Sequence, residues 1–190
     1  MFGKVQAALL LNGNNMKANW KICLSALILI AQTACGAAST SNENGYSATV
    51  KSVHDGDTVR VVDANGQTQR VRLAYIDAPE LNQVDGKSSR DALRKIVAQQ
   101  KVRVEVFDTD QYGRQVARIY ANGQDVNLLQ IQQGNAWHYR SIAKRNQAKT
   151  DYAQYEAAEQ SAKQQRLGLW TNRQAIAPWQ YRYESRQSEQ

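Results

Sequence analysis

Cysteine and histidine are scarce in this 190-residue chain, which contains two of each. Both cysteines, Cys23 and Cys35, lie within the first 36 residues, so the rest of the chain has no thiol for a disulfide, a zinc finger or nucleophilic catalysis. His54 and His138 are far apart in the sequence, and His54 is interpreted as a structural or exposed residue. A folded domain in this chain must therefore be held by its hydrophobic core.

A strongly apolar run long enough to span a membrane is also lacking, although the interval from Ile22 to Asn42 contains no charge and leaves an uncleaved anchor open. The apolar stretch Ile22–Ala31 is short of the ~20 residues that a spanning helix needs. Lys17 and Lys21 precede this stretch, and a region rich in small residues follows it, which is typical of an export signal. We interpret residues 1–36 as a leader and residues 37–45 as a polar tether.

The end of the leader is compatible with three kinds of processing. Thr-Ala-Cys-Gly at positions 33–36 resembles a bacterial lipoprotein processing box, which predicts Cys35 as a lipidated N-terminus and hence membrane attachment. Ordinary signal cleavage nearby and an uncleaved anchor are the alternatives, and Met16 is an alternative start. The expected localisation is export, as a periplasmic protein, a secreted protein or a membrane-anchored lipoprotein.

The excess of positive charge is modest. The formal net charge is +7, but Lys4, Lys17 and Lys21 lie in the leader, so the domain itself is only mildly basic. A mildly basic surface is compatible with a polyanionic partner but is weak evidence for one.

Alternating β-branched residues predict five short strands. Tyr46–Val53 and Thr58–Val62 form a hairpin, a third strand follows the turn at residues 63–66, and the last two strands cover 101–107 and 115–120. With three helices added, the pattern predicts an α+β domain over residues 46–172. Its core is a small five-stranded β-barrel, an architecture that binds oligonucleotides on its strand face.

Helix-capping signals place the three predicted helices. The first starts at Ser88, where Asp91 three residues later resembles a capping box. Asp125 caps a short second helix, and Thr150–Gln165 has the periodicity of a longer third one. Residues 173–190 are expected to form a polar C-terminal tail, which is mobile after Pro178.

A dense group of charges surrounds the first turn and the third strand. Asp55, Asp57, Asp77 and Glu80 place four carboxylates within twenty-six residues, with Arg72 among them. Carboxylate oxygens are ligands for calcium or magnesium rather than zinc, and the planar arginine fork matches the oxygens of a phosphate. This group predicts a divalent metal and a phosphate at one site, as in a phosphodiesterase.

Four motifs in the same order give a specific resemblance. They are Asp-Gly-Asp-Thr at 55–58, Arg-x-x-x-x-Asp-x-Pro-Glu at 72–80, Asp-x-Tyr-Gly-Arg at 110–114 and Val-Asn at 126–127. Together they resemble the thermonuclease family, the micrococcal and staphylococcal nuclease-like proteins. The resemblance implies an OB-fold barrel, dependence on calcium (Ca²⁺), and endonucleolytic cleavage of DNA and RNA that leaves 3′-phosphate ends. A monomer is expected.

The resemblance also implies a role for each residue of the site. Asp57, Asp77 and the backbone carbonyl of Ala78 would hold the calcium ion, and Asp55 would lie near it through water. The main-chain ligand does not depend on the side chain at position 78.

The remaining roles concern the substrate. Glu80 would be the general base for the attacking water, Arg72 and Arg114 would contact the phosphate that is cleaved, and Tyr112 would line the nucleotide pocket.

A different function is the main alternative. A catalytically inactive OB-fold lipoprotein could bind single-stranded nucleic acid through its basic face. Such a binder has no need for carboxylates that repel phosphate, so the four acids and two arginines favour the enzyme.

Overall fold

The computed structural model describes residues 45–188, and all structural statements below concern this range. The leader, including Cys35, and most of the tether lie outside the described residues. Eight strands are present: β1 Gly45–Val53, β2 Thr58–Asp63, β3 Thr68–Leu73, β4 Ile76–Asp77, β5 Lys101–Thr109, β6 Gln115–Ala121, β7 Gln124–Asp125 and β8 Trp137–His138.

Five of these strands close into the predicted barrel. Their order is β3-β2-β1-β5-β6, all neighbours are antiparallel, and a parallel pairing of β3 with β6 completes the circle. Register shifts after Val50 in β1 and after Val106 in β5 mark irregularities of the bulge type, which help short strands to curve. The barrel and its OB-fold character are therefore confirmed.

The barrel interior is filled by branched aliphatic side chains. They come from alternate positions of the strands, as the pleat of a β-strand requires. Those that are at most 1% exposed include Val50, Val59, Val61, Val71, Leu73, Val104 and Ile119. The predicted alternation thus identifies the core face.

Within residues 45–188, five α-helices accompany the barrel, rather than the three predicted. They are α1 Gly86–Val97, α2 Val126–Gln132, α3 Arg140–Asn146, α4 Lys149–Gln164 and α5 Pro178–Ser188. The three predicted helices correspond to α1, α2 and α4. Helix α3 has seven residues and no side-chain cap, so its sequence carries neither of the signals used above. No helix in residues 45–188 is long and apolar enough to cross a bilayer.

The predicted start of the first helix is wrong by two residues. Helix α1 begins at Gly86, and the Ser88 hydroxyl donates a hydrogen bond back to the carbonyl of Asp85 instead of capping the helix. Asp91 pairs with Arg90 and Arg94 on the helix surface. Ser88 and Asp91 therefore lie inside helix α1 and do not form a capping box at its start.

The expectation of a mobile tail after Pro178 is also wrong. This segment forms α5, which rests on the domain through Trp179. The Trp179 ring stacks on Tyr139 with centroids 5.5 Å apart and meets Trp137 edge-on at 6.4 Å. Although its composition is polar, α5 is a helix that is held on the domain by the Trp179 ring contacts and by ion pairs described below.

A buried asparagine fastens α2 to the barrel. Asn127 is fully buried, and its amide donates to the carbonyls of Ala74 and Ala117, both at 3.0 Å. Its carbonyl oxygen accepts from the Ile119 backbone amide at 3.2 Å. One side chain therefore satisfies backbone groups of β6 and of the segment that follows β3.

Replacing Asn127 by alanine should destabilise the fold. The change leaves three buried backbone groups without this partner, so we expect the free energy of unfolding to fall by about 2–4 kcal/mol. Urea denaturation followed by tryptophan fluorescence measures this. The exposed turn residue Asn65 provides the control, and Asn65→Ala should change stability by less than about 0.5 kcal/mol. Equal effects of the two substitutions would contradict the assigned role.

Candidate active site

All the predicted site residues line one cavity of about 870 Å³. It lies where the turn before β2, the end of β3, β4 and the turn before β6 meet. The predicted residues in its wall are Asp55, Asp57, Arg72, Asp77, Ala78, Glu80, Tyr112 and Arg114. The structure thus brings together residues that are up to 59 positions apart in the chain, from Asp55 to Arg114.

Barrel closure is what joins the two halves of this site. The parallel pairing of β3 with β6 sets Arg72 opposite Val116, so the turn that carries Tyr112 and Arg114 opens at the same end as Arg72. The short antiparallel pair β4–β8 sets Asp77 opposite Trp137 and holds β4 beside this end of the barrel.

Arg72 connects the two aspartates predicted to bind metal. Its Nη1 lies 3.0 Å from Asp57 Oδ2, and its Nη2 lies 2.9 Å from Asp77 Oδ1. Nη1 also donates to the carbonyls of Leu73 at 3.1 Å and Ile76 at 3.0 Å. The side chain is 16% exposed, so the guanidinium is held in place before any substrate arrives.

Asp57 is fixed by the backbone as well as by Arg72. Its Oδ2 accepts from the Ala78 amide at 2.8 Å, and its Oδ1 accepts from the Thr58 hydroxyl at 3.0 Å. The hydrogen bond to Ala78 links the first motif directly to the second. The carboxylates of Asp57 and Asp77 therefore share the Arg72 guanidinium, beside the main chain at residue 78.

The turn before β2 is packed tightly against two helices. Gln130 of α2 donates to the carbonyl of Gly56 at 2.8 Å. A Cβ at position 56 would lie 1.9 Å from the Ser89 hydroxyl of α1, so only glycine fits there. This packing sets the direction in which Asp55 and Asp57 leave the turn.

Negative charge in the cavity is costly. Burial, followed by the charge of Asp57, raises the pKa of Asp55 to about 7. Burial also raises the pKa of Asp77, although Arg182 and Arg72 act in the opposite direction. A cation beside these carboxylates would favour their charged forms.

The available ligands fit a hard divalent cation. The predicted ligands, which are the carboxylates of Asp57 and Asp77 and the backbone carbonyl of Ala78, are oxygen donors, and such donors suit calcium or magnesium. Within residues 45–188 no group of three or more Asp, Glu, His or Cys side chains is arranged to enclose a metal. A site with two carboxylates and a carbonyl is an open one, which leaves positions for water and substrate.

Glu80 is positioned by a compact loop. Its amide donates to Gln83 Oε1 at 3.2 Å, and its carbonyl accepts from the Gln83 amide at 2.9 Å. A Cβ at Gly86 would lie 1.8 Å from the Glu80 carbonyl oxygen, so the start of α1 presses directly on this loop. The Glu80 side chain lines the cavity next to Asp77.

The turn before β6 is organised by one aspartate. Asp110 Oδ1 accepts from the amides of Tyr112 and Arg114, both at 2.9 Å, and Asp110 Oδ2 accepts from Arg114 Nε at 2.8 Å. The Arg114 guanidinium lies 5.5 Å from the centre of the Tyr112 ring. Tyr112 is 63% exposed at the mouth of the cavity, which suits contact with a large ligand.

One residue of the site was missed by the sequence analysis. Arg182 of α5 places Nη2 2.8 Å from Asp77 Oδ2 and Nη1 2.8 Å from Glu80 Oε1. Arg182 and Asp77 are 105 positions apart. Because α5 was expected to be mobile and its arginines resemble any polar tail, no local signal identifies this contact.

Comparison with known proteins supports the resemblance. Residues 70–172 match the family described as staphylococcal nuclease homologue. The micrococcal nuclease of Shigella flexneri is 37% identical over 175 residues, which cover 87% of this chain and 97% of that protein. An uncharacterized endonuclease of Haemophilus influenzae is 34% identical over 166 residues, covering 86% of each chain. The staphylococcal-like nuclease CAN1 of Arabidopsis thaliana is 38% identical over 117 residues, 62% of this chain and 34% of that protein.

The matched region contains most of the site. It runs from the start of the Arg72 motif to the end of the barrel domain, and the Shigella relative is covered almost from end to end. The chain therefore belongs to the staphylococcal nuclease family, and it is a nuclease that hydrolyses phosphodiester bonds.

Proposed function

We propose that this nuclease is an exported, calcium-dependent endonuclease that cuts DNA and RNA with little sequence preference and leaves 3′-phosphate ends. The observation that carries the proposal is the Arg72 guanidinium that joins Asp57 and Asp77 in the wall of the cavity. Glu80 and Arg114 line the same cavity. Carboxylates that can bind a cation and arginines that can bind a phosphate thus lie in the same cavity.

The metal-binding residues in this proposal are Asp57, Asp77 and the carbonyl of Ala78, with Asp55 nearby. Calcium takes six to eight oxygen ligands, so these three leave several positions open. When bound, the ion supplies positive charge that stabilises the charge developing on phosphate oxygens. Burial raises the pKa of Asp55 and of Asp77, so the charged form of each carboxylate is favoured by a cation close to it.

The arginines act on the phosphate. When water attacks phosphorus, negative charge grows on the equatorial oxygens, and donors already aimed at them stabilise the transition state. Arg72 is held by two carboxylates and two carbonyls, so it needs little rearrangement. Arg114 donates to Asp110 through Nε, so its outer nitrogens are the groups that would make the second phosphate contact.

Glu80 accepts the proton of the attacking water. The oxygen of water bonds to phosphorus, its proton passes to Glu80, and the 5′ oxygen leaves and takes a proton from solvent. The phosphate stays on the 3′ oxygen. General-base help of this kind contributes about 10²- to 10⁴-fold to the rate.

Weak sequence preference follows from which part of the substrate is contacted. Charged groups of the site address the phosphate, which is the same at every nucleotide. The exposed ring of Tyr112 offers a stacking surface that accepts any base. Both DNA and RNA present these features.

Export and lipid attachment rest on the leader. The basic residues, the short apolar stretch and the Thr-Ala-Cys-Gly sequence support cleavage before Cys35 and lipidation of its thiol. The nuclease domain would then be tethered outside the cytoplasm by the polar residues that follow, and it acts there as a monomer.

Calcium should control cleavage. The purified protein is expected to degrade plasmid DNA and RNA in calcium and to leave both intact after a chelator is added. Because the products carry 5′-hydroxyl ends, polynucleotide kinase should label them without phosphatase treatment. Gel electrophoresis and end-labelling measure this. Intact nucleic acid in calcium, or equal cleavage in magnesium alone, would contradict the calcium assignment.

Glu80→Gln should reduce turnover by about 10²- to 10⁴-fold, because the amide cannot accept the proton. The rate is measured with saturating calcium and DNA. Glu156→Gln is the matched control, since Glu156 lies on α4 and pairs with Arg140 at 3.5 Å, outside the cavity. A near-parental rate in Glu80→Gln would show that another group takes the proton.

Cys35→Ser should release the nuclease from the membrane fraction of the cells that export it. Mass spectrometry of the mature parental protein should find an acylated cysteine at its N-terminus. Cys23→Ser is the control, because this residue lies in the part of the leader that is removed. A mature N-terminus without a lipid would indicate ordinary signal cleavage instead.

A further inference from the structure

Arg182 contacts the two acids on which the proposed chemistry depends. Its guanidinium donates to both oxygens of Asp77, at 2.8 and 3.3 Å, and to Glu80 Oε1 at 2.8 Å. Asp77 is the proposed calcium ligand, and Glu80 is the proposed general base. The positive charge that a metal would supply to Asp77 is therefore supplied here by a side chain.

Helix α5 holds Arg182 at the cavity. Trp179 anchors the start of the helix on Tyr139, and the side chain of Gln83 donates to the Ile176 carbonyl just before it at 2.6 Å. Arg182 follows one turn after Trp179, and Arg186, one turn further on, also lines the cavity. Successive turns of α5 thus lie along the opening of the site.

The attachment of α5 is limited. In Pro178–Ser188, Pro178 is the one buried residue, and Trp179 itself is 39% exposed. Elements with few buried contacts open locally at low cost in free energy. Undocking of the helix would break the Trp179 ring contacts and the Arg182 ion pairs and would expose Pro178.

We propose that α5 is an autoinhibitory helix in which Arg182 competes with the metal ion for Asp77 and blocks Glu80. This inference rests on the proposed function. Arg72 contacts only Oδ1 of Asp77, whereas Arg182 also occupies Oδ2 at 2.8 Å. With α5 docked, both oxygens of Asp77 are therefore paired with a guanidinium, and the helix competes with a metal ion for Oδ2. The metal then binds only the fraction of molecules in which α5 is undocked, and metal binding in turn favours undocking.

The size of the effect follows from the docked fraction. If α5 is docked in nine molecules out of ten, the apparent affinity for calcium is reduced about tenfold relative to a protein without Arg182. The alternative is that Arg182 stays in place and contacts the phosphate of the substrate. In that case removing it weakens catalysis and does not strengthen metal binding.

The test is calcium binding to the purified protein without nucleic acid, measured by titration calorimetry. Arg182→Gln removes the competing charge, and Trp179→Ala removes the anchor but keeps Arg182. Both should lower the dissociation constant for calcium, by roughly tenfold for Arg182→Gln. Arg173→Gln is the control for charge, because Arg173 is exposed and lies outside the cavity, and it should bind calcium as the parental protein does.

Two further measurements decide between the readings. Hydrogen exchange of the amides in Pro178–Ser188 should become faster when the parental protein is saturated with calcium. At limiting calcium Arg182→Gln should cut DNA faster than the parental protein, and at saturating calcium the two rates should converge. Unchanged exchange, or a rate in Arg182→Gln that stays more than tenfold lower at saturating calcium, would overturn autoinhibition.

The outcomes also separate this inference from the proposed function. Equal calcium affinities in the parental protein and Arg182→Gln, together with calcium-dependent cleavage, would overturn autoinhibition alone. If neither protein binds calcium or needs it for cleavage, the calcium site itself is wrong and the inference falls with it.

Discussion

The site depends on one guanidinium held between two buried carboxylates. Arg72 lies at the end of β3, Asp57 in the turn before β2 and Asp77 in β4, and each would be unfavourable in this position without the others. Taking such charges out of water costs several kcal/mol per ion unless they are paired. The pairing therefore sets the mutual orientation of Asp57 and Asp77. The ion pairs can form only if the barrel closes in the observed register.

That closure explains why a small barrel can carry this chemistry. The parallel pairing of β3 with β6 brings the Asp110–Arg114 turn beside Arg72, and the amide of Asn127 secures the same junction from α2. Hydrogen bonds from a buried side chain to the backbone are specific in direction, so the junction resists sliding of the strands. In the proposed mechanism, rigid supports of this kind let Arg72 meet a phosphate without reorganisation, which is what electrostatic catalysis requires.

The acids of the site are also paired with a positive charge from α5. A group of acids arranged to receive a metal ion is repulsive when the ion is absent, and the two acids nearest to Arg182 are balanced by it. A helix that carries an opposite charge can stabilise such a group in the absence of metal at the cost of competing with it. Under the proposed autoinhibition, stability of the resting protein and readiness for the reaction are thus opposed at Asp77 and Glu80.

The sequence by itself determined the strands of the barrel, because alternation along a strand follows from side-chain direction. It also determined the start of α2, because the cap at Asp125 is a local hydrogen bond to the backbone. It also identified the acids and arginines that share the cavity, through motifs whose members are close in the chain, while their individual roles stay predictions. The start of α1 and the state of the tail were misjudged, since both depend on packing: Gly86 against the loop of Glu80, and Trp179 against Tyr139. Only the tertiary structure could decide that Arg182 pairs with Asp77, because an ion pair across 105 residues arises from the way the chain folds back and leaves no trace in local periodicity.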